Sequence, residues 1–173
     1  MAASKDKLPK PAGRARIGDR LRHDLESLIV RYVDRLRTDP LISRAQPLPN
    51  PLLEDHAMSF LSDLFQSLVV LENAEDLDDP DESELLGDGI RIQRLISELH
   101  GHQRYRLGWT EPALEREYQI LREEVDSLVR RHAPDLDRAG DFSWAIDVLN
   151  LRLNSARAAS VAAYEMAASE SRT

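Results

Sequence analysis

The sequence predicts an all-α fold, an antiparallel bundle of about five helices. Apolar residues recur at spacings of three and four along most of the chain, which is the period of a helix with one buried face. No run alternates apolar and polar residues as a half-buried strand does, and 7 glycines with 5% aromatic residues argue against a turn-rich β-sandwich. With 173 residues, the chain is expected to form a single domain, which we place at residues 18–170.

The N-terminal segment, residues 1–17, is rich in Lys, Pro, Ala and Gly and shows no periodicity, so we predict a disordered basic arm. Residues 1–20 hold six Lys and Arg against two Asp, whereas the whole chain has a net charge of −8. The rest of the chain therefore carries −12, and such a body repels nucleic-acid phosphates. The arm itself is either a solubilising tail or a contact for an acidic partner.

The first two predicted helices flank a proline-rich connection. The first helix carries an apolar stripe made of Leu21, Leu25, Leu28, Ile29, Tyr32, Val33 and Leu36. The prolines of TDPLISRAQPLPNP forbid a continuous helix there. Asn50 is a suitable N-cap with Pro51 at the first helical position, and the second helix buries Leu53, Ala57, Phe60, Leu61, Leu64 and Leu68.

An acidic stretch follows, with nine Asp and Glu between Glu72 and Asp88. An EF-hand loop needs acids at alternating positions and a central glycine, and DDPDESELLGDG does not keep that spacing. We therefore predict a solvated linker.

Three more helices complete the bundle. The third spans about residues 90–107 and the fourth about residues 111–132, with Thr110 as N-cap and Pro112 in the first turn. HAPDLDRAGD then interrupts the chain before a final, alanine-rich helix over about residues 143–168.

The third helix has an unusual apolar face. At 100° per residue, Leu95, Ile96 and Leu99 lie within about 60° of Ile92, so these four residues are predicted to face the core. The same face continues into Gln103 and Arg106, with His100 and His102 on its flanks. The predicted buried stripe therefore becomes polar in its last two turns.

The short connection to the fourth helix requires the two helices to pack antiparallel. On the fourth helix, Glu117 flanks the apolar face, and we expect Arg104 or Arg106 beside it, since buried charges need partners.

His100 is expected beside Tyr118 or Arg122 of the same hairpin. Two interpretations stay open: a hydrogen-bonded network that fixes the hairpin, or a polar pocket for a signal molecule. The candidate site comprises His100, Gln103, Arg104, Arg106, Glu117, Tyr118 and Arg122.

No motif for catalysis or metal binding is present. The absence of cysteine excludes disulfides, thiolate zinc sites and a cysteine nucleophile, and it suits a cytoplasmic protein. His100 and His102 point about 200° apart on a helix and cannot chelate one ion together. There is no HExxH motif, nucleophile elbow, phosphate loop or run of 18 apolar residues, so we expect no enzyme, metal, cofactor or membrane span. Haem ligation by a histidine remains an alternative.

The last helix is apolar on two sides. One seam contains Trp144, Val148, Leu151, Ser155, Ala158 and Ala162, and the other contains Ile146, Leu149, Leu153, Ala156, Ser160, Ala163 and Ala167. A helix with two apolar sides has to bury both. We predict that the seam of Ile146, Leu149, Leu153 and Ala156 forms a homodimer contact; the alternative is a central helix buried twice within one monomer.

The chain resembles the RsbRD-type N-terminal domain of stressosome co-antagonists, which also heads sensor histidine kinases. The resemblance covers about residues 20–167 and includes the segments YVDRLRTDP, LPNPLLEDHAMSFLSDL and HGHQRYRLGW. A His-x-x-x-Arg pair (His100, Arg104) precedes a Gly-aromatic turn (Gly108, Trp109). It is followed by a Glu-Tyr-x-x-Leu-Arg signature, here Glu117, Tyr118, Leu121 and Arg122.

This resemblance implies a globin-like sensor or regulatory domain without a demonstrated cofactor, which passes a signal to a STAS, GAF or kinase domain. None of these domains follows here, so we expect a stand-alone module or a piece of a longer protein. The function predicted is therefore a non-catalytic, cytoplasmic signalling domain acting through protein contacts. The alternatives are a small-molecule or haem-binding helical protein and a structural assembly subunit.

Overall fold

The computed structural model describes residues 17–54, 56–73, 80–135 and 139–171. These residues form seven α-helices and no strand, which confirms the predicted all-α class. The helices are α1 (Ile17–His23), α2 (Leu25–Thr38), α3 (Asn50–Glu54), α4 (Ala57–Asn73), α5 (Pro80–Arg106), α6 (Glu111–His132) and α7 (Ala139–Glu170). None of the described helices has the length and apolar character needed to cross a bilayer.

Two of the predicted helices are each divided in two. The first is interrupted at Asp24, whose backbone angles (φ −94°, ψ 7°) fall outside the helical region. α1 packs mainly against α4, and α2 packs mainly against α6. The second is divided into α3 and α4, so five helices were too few.

The N-terminal boundary and the acidic linker also differ from the prediction. Ile17 begins α1 and is 2% exposed, while residues 1–16 of the predicted arm lie outside the described residues. Glu72 belongs to α4, and Pro80 begins α5, so residues 80–88 are helical rather than a linker, while residues 74–79 of the predicted linker lie outside the described residues. Proline is tolerated in a first turn and glutamate is a good helix former, which explains this early start.

The hairpin of α5 and α6 agrees closely with the sequence. The Thr110 side chain accepts a hydrogen bond from the Ala113 backbone N–H at 3.3 Å, which caps α6 as predicted. In the turn before it, Gly108 has a φ of 73°, a left-handed conformation that favours glycine.

α5 and α7 run parallel and make the most extensive helix–helix contact of the described chain. Ser97 contacts Ser160, and further along both helices Tyr105 contacts Tyr164. Gly101 lies at their closest approach, because a Cβ atom there would sit 2.0 Å from the Ser160 carbonyl oxygen. Only glycine allows this crossing without displacement of one backbone.

The predicted dimer seam on α7 lies inside the monomer. Leu149, Leu153 and Ala156 are 0%, 1% and 4% exposed, and Ile146 packs against the same core. The other seam faces outward, with Leu151 69% exposed. The assignment of the two seams was therefore reversed: the row of Ile146, Leu149, Leu153 and Ala156 packs into the core, and the row that contains Leu151 and Ser155 is left outside.

Candidate functional site

The buried face of α5 is polar, contrary to the prediction. Its buried positions among the described side chains are Gly89, Gln93, Ser97, His100, Gly101 and Arg104. Three of the four apolar residues predicted to face the core are instead about half exposed, namely Ile92, Leu95 and Leu99, whereas Ile96 packs partly against the core. The helix is turned so that its hydrogen-bonding side chains meet partners on neighbouring helices.

A buried carboxylate organises these partners. Glu117 of α6 is 1% exposed and accepts hydrogen bonds from Arg104 Nε at 3.0 Å and Arg104 Nη2 at 2.8 Å. It also pairs with His100 Nε2 at 2.9 Å and accepts the Tyr32 hydroxyl at 2.6 Å. We call Tyr32, His100, Arg104 and Glu117 the Glu117 hub; it joins α2, α5 and α6.

Arg104 extends the hub to α3. Its side chain is fully buried, and Nη1 donates to the Leu52 carbonyl at 2.7 Å while Nη2 donates to the Leu53 carbonyl at 3.1 Å. The last carbonyls of a short helix need such donors. Gln103 accepts a further hydrogen bond from Nη1 at 2.9 Å, and the guanidinium lies 4.5 Å from the centre of the Trp109 ring.

The electrostatics keep the hub ionised. Burial by itself raises the pKa of Glu117, but the charges of Arg104 and His100 and their hydrogen bonds outweigh it and hold that pKa well below its usual range. Burial and the neighbouring Glu117 charge raise the pKa of Tyr32 well above its ordinary value. Tyr32 therefore stays a donor and Glu117 stays an acceptor.

A second hydrogen-bonded chain connects α6 with α7. The Ser160 hydroxyl donates to the Ser97 carbonyl at 2.6 Å, so the Tyr118 hydroxyl is the donor in its own 2.6 Å bond to Ser160. The Tyr118 ring meets the His100 ring edge to face, with centroids 5.9 Å apart. Burial raises the pKa of Tyr118 and keeps it protonated.

The local sequence sets much of this arrangement. His100 and Arg104 are four residues apart and therefore share one face of α5. The Trp109 backbone N–H donates to the Arg104 carbonyl at 3.0 Å, so the tight turn ends α5 directly beside the start of α6. Glu117 then lies two turns into α6, opposite both side chains.

Not every predicted site residue belongs to the hub. His100, Arg104, Glu117 and Tyr118 come together, with Gln103 at the edge. Arg106 is exposed at the end of α5.

Arg122 bonds instead to Asn154 of α7, on an exposed part of the surface. Five partners were not predicted: Tyr32, Ser160, and the backbone carbonyls of Leu52, Leu53 and Ser97. Ser160 was assigned to a seam of the last helix. Tyr32 was assigned to the apolar stripe of the first helix, and backbone acceptors leave no signal in a sequence.

A small cavity of about 20 Å³ borders the hub. Its wall combines Tyr32, His100 and Tyr118 with apolar side chains of α4 to α6, namely Phe60, Ile96 and Leu121. A water molecule needs about 10–15 Å³ of such volume, so one water fits.

The chemistry available at the hub is limited. A general base works best with a pKa near the operating pH, and Glu117 is a weak base because its pKa is depressed. Within the described ranges, no group of three or more His, Asp and Glu side chains has the arrangement of a metal site. The arrangement is suited to holding four helices in a fixed relation.

No family model, characterised protein or solved structure matches the chain.

Proposed function

We propose that this chain is a cytoplasmic, non-catalytic signalling domain of a bacterial stress-response or histidine-kinase pathway. It acts as a homodimer and through contacts with STAS-domain or kinase proteins. Its helices transmit the effect of one contact to another without chemistry of their own.

The observation that carries this proposal is the outward surface of α5 and α7. Of the nine large apolar side chains that are exposed among the described residues, seven belong to these two helices. They include Ile92, Leu95 and Leu99 on α5 and Leu151 and Met166 on α7. Exposed apolar side chains grouped on two helices that pack against each other are typical of protein contact sites.

The Glu117 hub supports a transmitting role. It connects α2, α3, α5 and α6 through buried hydrogen bonds, so a displacement of one helix strains its bonds to the others. The residues that carry the resemblance to RsbRD-type domains, His100, Arg104, Glu117 and Tyr118, converge at this one place. Their convergence favours a shared architecture.

The main alternative is a small-molecule or haem-binding protein. His100, the candidate ligand, is engaged with Glu117 at 2.9 Å, and the cavity beside it has room for about one water. Haem binding therefore requires His100 to leave Glu117 and the bundle to open. An absorbance spectrum of freshly purified protein tests this alternative, because a Soret band would favour it over our proposal.

The third candidate, a structural assembly subunit, also uses protein contacts and differs in its partner. We expect purified STAS-domain proteins or histidine kinases from the same genome to bind this chain with micromolar or tighter Kd in biolayer interferometry. An unrelated acidic helical protein serves as the control. Lack of binding to all STAS and kinase proteins of that genome would contradict the signalling proposal.

A further inference from the structure

A groove of about 500 Å³ lies between α5 and α7. On the α7 side its wall consists mainly of small side chains, Ser155, Ala159, Ala162 and Ala163. On the α5 side it is bordered by Arg94, Glu98 and His102. The groove is therefore deep enough at the α7 side to receive a large side chain.

Large apolar side chains stand beside this groove. Leu95 and Leu99 are 57% and 45% exposed and lie one helical turn before Glu98 and His102, respectively. Leu151 is 69% exposed and lies one turn before Ser155 on α7. The same surface thus presents both projecting leucines and a groove lined by small residues.

We propose that this surface binds a second copy of the chain about a two-fold axis, with Leu95 and Leu99 of each copy entering the groove of the other. Packing projecting side chains into a groove is the normal mode of helix association. An isologous dimer requires a self-complementary surface. A patch that has both projecting leucines and a groove lined by small residues meets this requirement. This inference rests on the homodimer of the proposed function and assigns its interface.

The charges at the groove are also self-complementary. Arg94 and Glu98 form an i,i+4 ion pair within one copy, with Arg94 Nε 2.9 Å from Glu98 Oε1. About a two-fold axis that sets the two α5 helices antiparallel, Arg94 of one copy faces Glu98 of the other. A patch of one sign would repel its own copy, whereas this one attracts it.

The size of the surface agrees with a dimer. From Trp144 to Met166, α7 extends about 33 Å, and two adjacent helices of about 10 Å width give a surface on the order of 700 Å². A standard stable interface takes about 800 Å² from each partner. The proposed interface uses only the outward sides of α5 and α7 and does not involve the side of α5 that faces the Glu117 hub.

Sedimentation velocity of the full chain tests the proposal. We expect a dimer at micromolar concentration, and at least a tenfold weaker dimer for Leu95→Glu and for Leu151→Glu with unchanged helical circular dichroism. Val30→Glu is the matched control, since Val30 is 60% exposed on α2, away from the groove, and the dimer should persist. A monomeric wild type, or a dimer unaffected by both leucine variants, would overturn the interface.

A charge exchange tests the two-fold register. Arg94→Glu and Glu98→Arg should each weaken self-association, because like charges then face each other. Mixing the two variants should give a heterodimer at least tenfold more stable than either homodimer, measured by native mass spectrometry. Failure of the mixture to associate preferentially contradicts the antiparallel pairing.

These outcomes are separable from the signalling proposal. A dimer that is weakened by Leu95→Glu and Leu151→Glu but binds no STAS or kinase protein supports the interface and contradicts the pathway. A monomer whose binding to such a protein is lost in Leu95→Glu shows that the surface serves a different partner, which overturns the homodimer and its interface but leaves the signalling role.

Discussion

The helix α5 buries its polar face and exposes its apolar face, which is the reverse of a usual surface helix. The inward face carries Ser97, His100 and Arg104, which are 1%, 7% and 0% exposed. The outward face carries Ile92 and Leu95, which are 50% and 57% exposed. Surface helices normally bury the apolar stripe and expose the polar one.

The difference shows that hydrogen-bonding partners on neighbouring helices, and not hydrophobicity alone, determine which face of a helix is buried. Inside, each polar group of the Glu117 hub is matched, so the charges are tolerated despite the cost of their removal from water. Outside, Leu95 and Leu99 are exposed to solvent within the described chain, and this is the surface at which we propose a second copy. The polar groups of one face are satisfied within this chain, and the apolar groups of the other face stay exposed in it.

The largest effect on the contrast between the two faces is expected when the negative charge of the Glu117 hub is removed. Glu117→Ala leaves Arg104 buried without its carboxylate, and the free energy of unfolding should fall by about 3–5 kcal/mol. Urea unfolding followed by circular dichroism measures it. Glu123→Ala on the same helix is the control: its side chain is 50% exposed, and its loss should be about 0–1 kcal/mol. Equal effects of the two variants would show that the hub is not a buried network.

Truncation of one buried and one exposed leucine compares how much each side of the helices contributes to stability. Leu153→Ala removes a side chain that is 1% exposed and should cost about 2–5 kcal/mol. Leu95→Ala should change monomer stability by no more than about 0.5 kcal/mol, since that side chain faces solvent. Thermal melts at concentrations low enough to suppress self-association make the comparison. A larger loss for Leu95→Ala than for Leu153→Ala would reverse the assignment of the faces.

A substitution at the point where α5 and α7 cross should change the free energy of unfolding by an intermediate amount. Gly101→Ala places a Cβ atom against the Ser160 backbone and should cost about 1–3 kcal/mol through overpacking. Gly87→Ala on the same helix meets only a side-chain atom of Arg91 at 3.9 Å. At this position the higher helix propensity of alanine than of glycine should stabilise the protein by up to about 1 kcal/mol. Opposite signs in chemical unfolding are the expected result, and two stabilised variants would disprove the close approach.

Acidification gives the smallest expected effect. Because the folded-state pKa of Glu117 is depressed, its contribution to stability is complete above the unfolded pKa of about 4.3 and is lost as the pH falls toward the folded value. The loss attributable to Glu117 is on the order of 1–2 kcal/mol by pH 3. Glu117→Gln should flatten this decline in urea titrations between pH 6 and pH 3. Identical slopes for the variant and the wild type would mean that the carboxylate is not held ionised.

The amino-acid sequence by itself determined the all-α class, the bounds of α6 and the pairing of Glu117 with an arginine at the end of α5, while the structure selected Arg104 over Arg106 and added His100. Each depends on local rules: the period of apolar residues, the Thr110 cap, and a turn too short for any arrangement but an antiparallel hairpin.

The tertiary structure alone decided which faces of α5 and α7 are buried. Tyr32 lies 85 residues from Glu117, and the Leu52 and Leu53 carbonyls lie 52 and 51 residues from Arg104. A helical wheel contains no information on such distant partners, so it placed Leu95 inside and Leu153 at an interface. If the apolar face of α5 turned inward, Glu117 would stay buried without Arg104, and the Leu52 and Leu53 carbonyls would lose their donor. This penalty opposes the gain from burying the leucines, and the polar face of α5 turns inward.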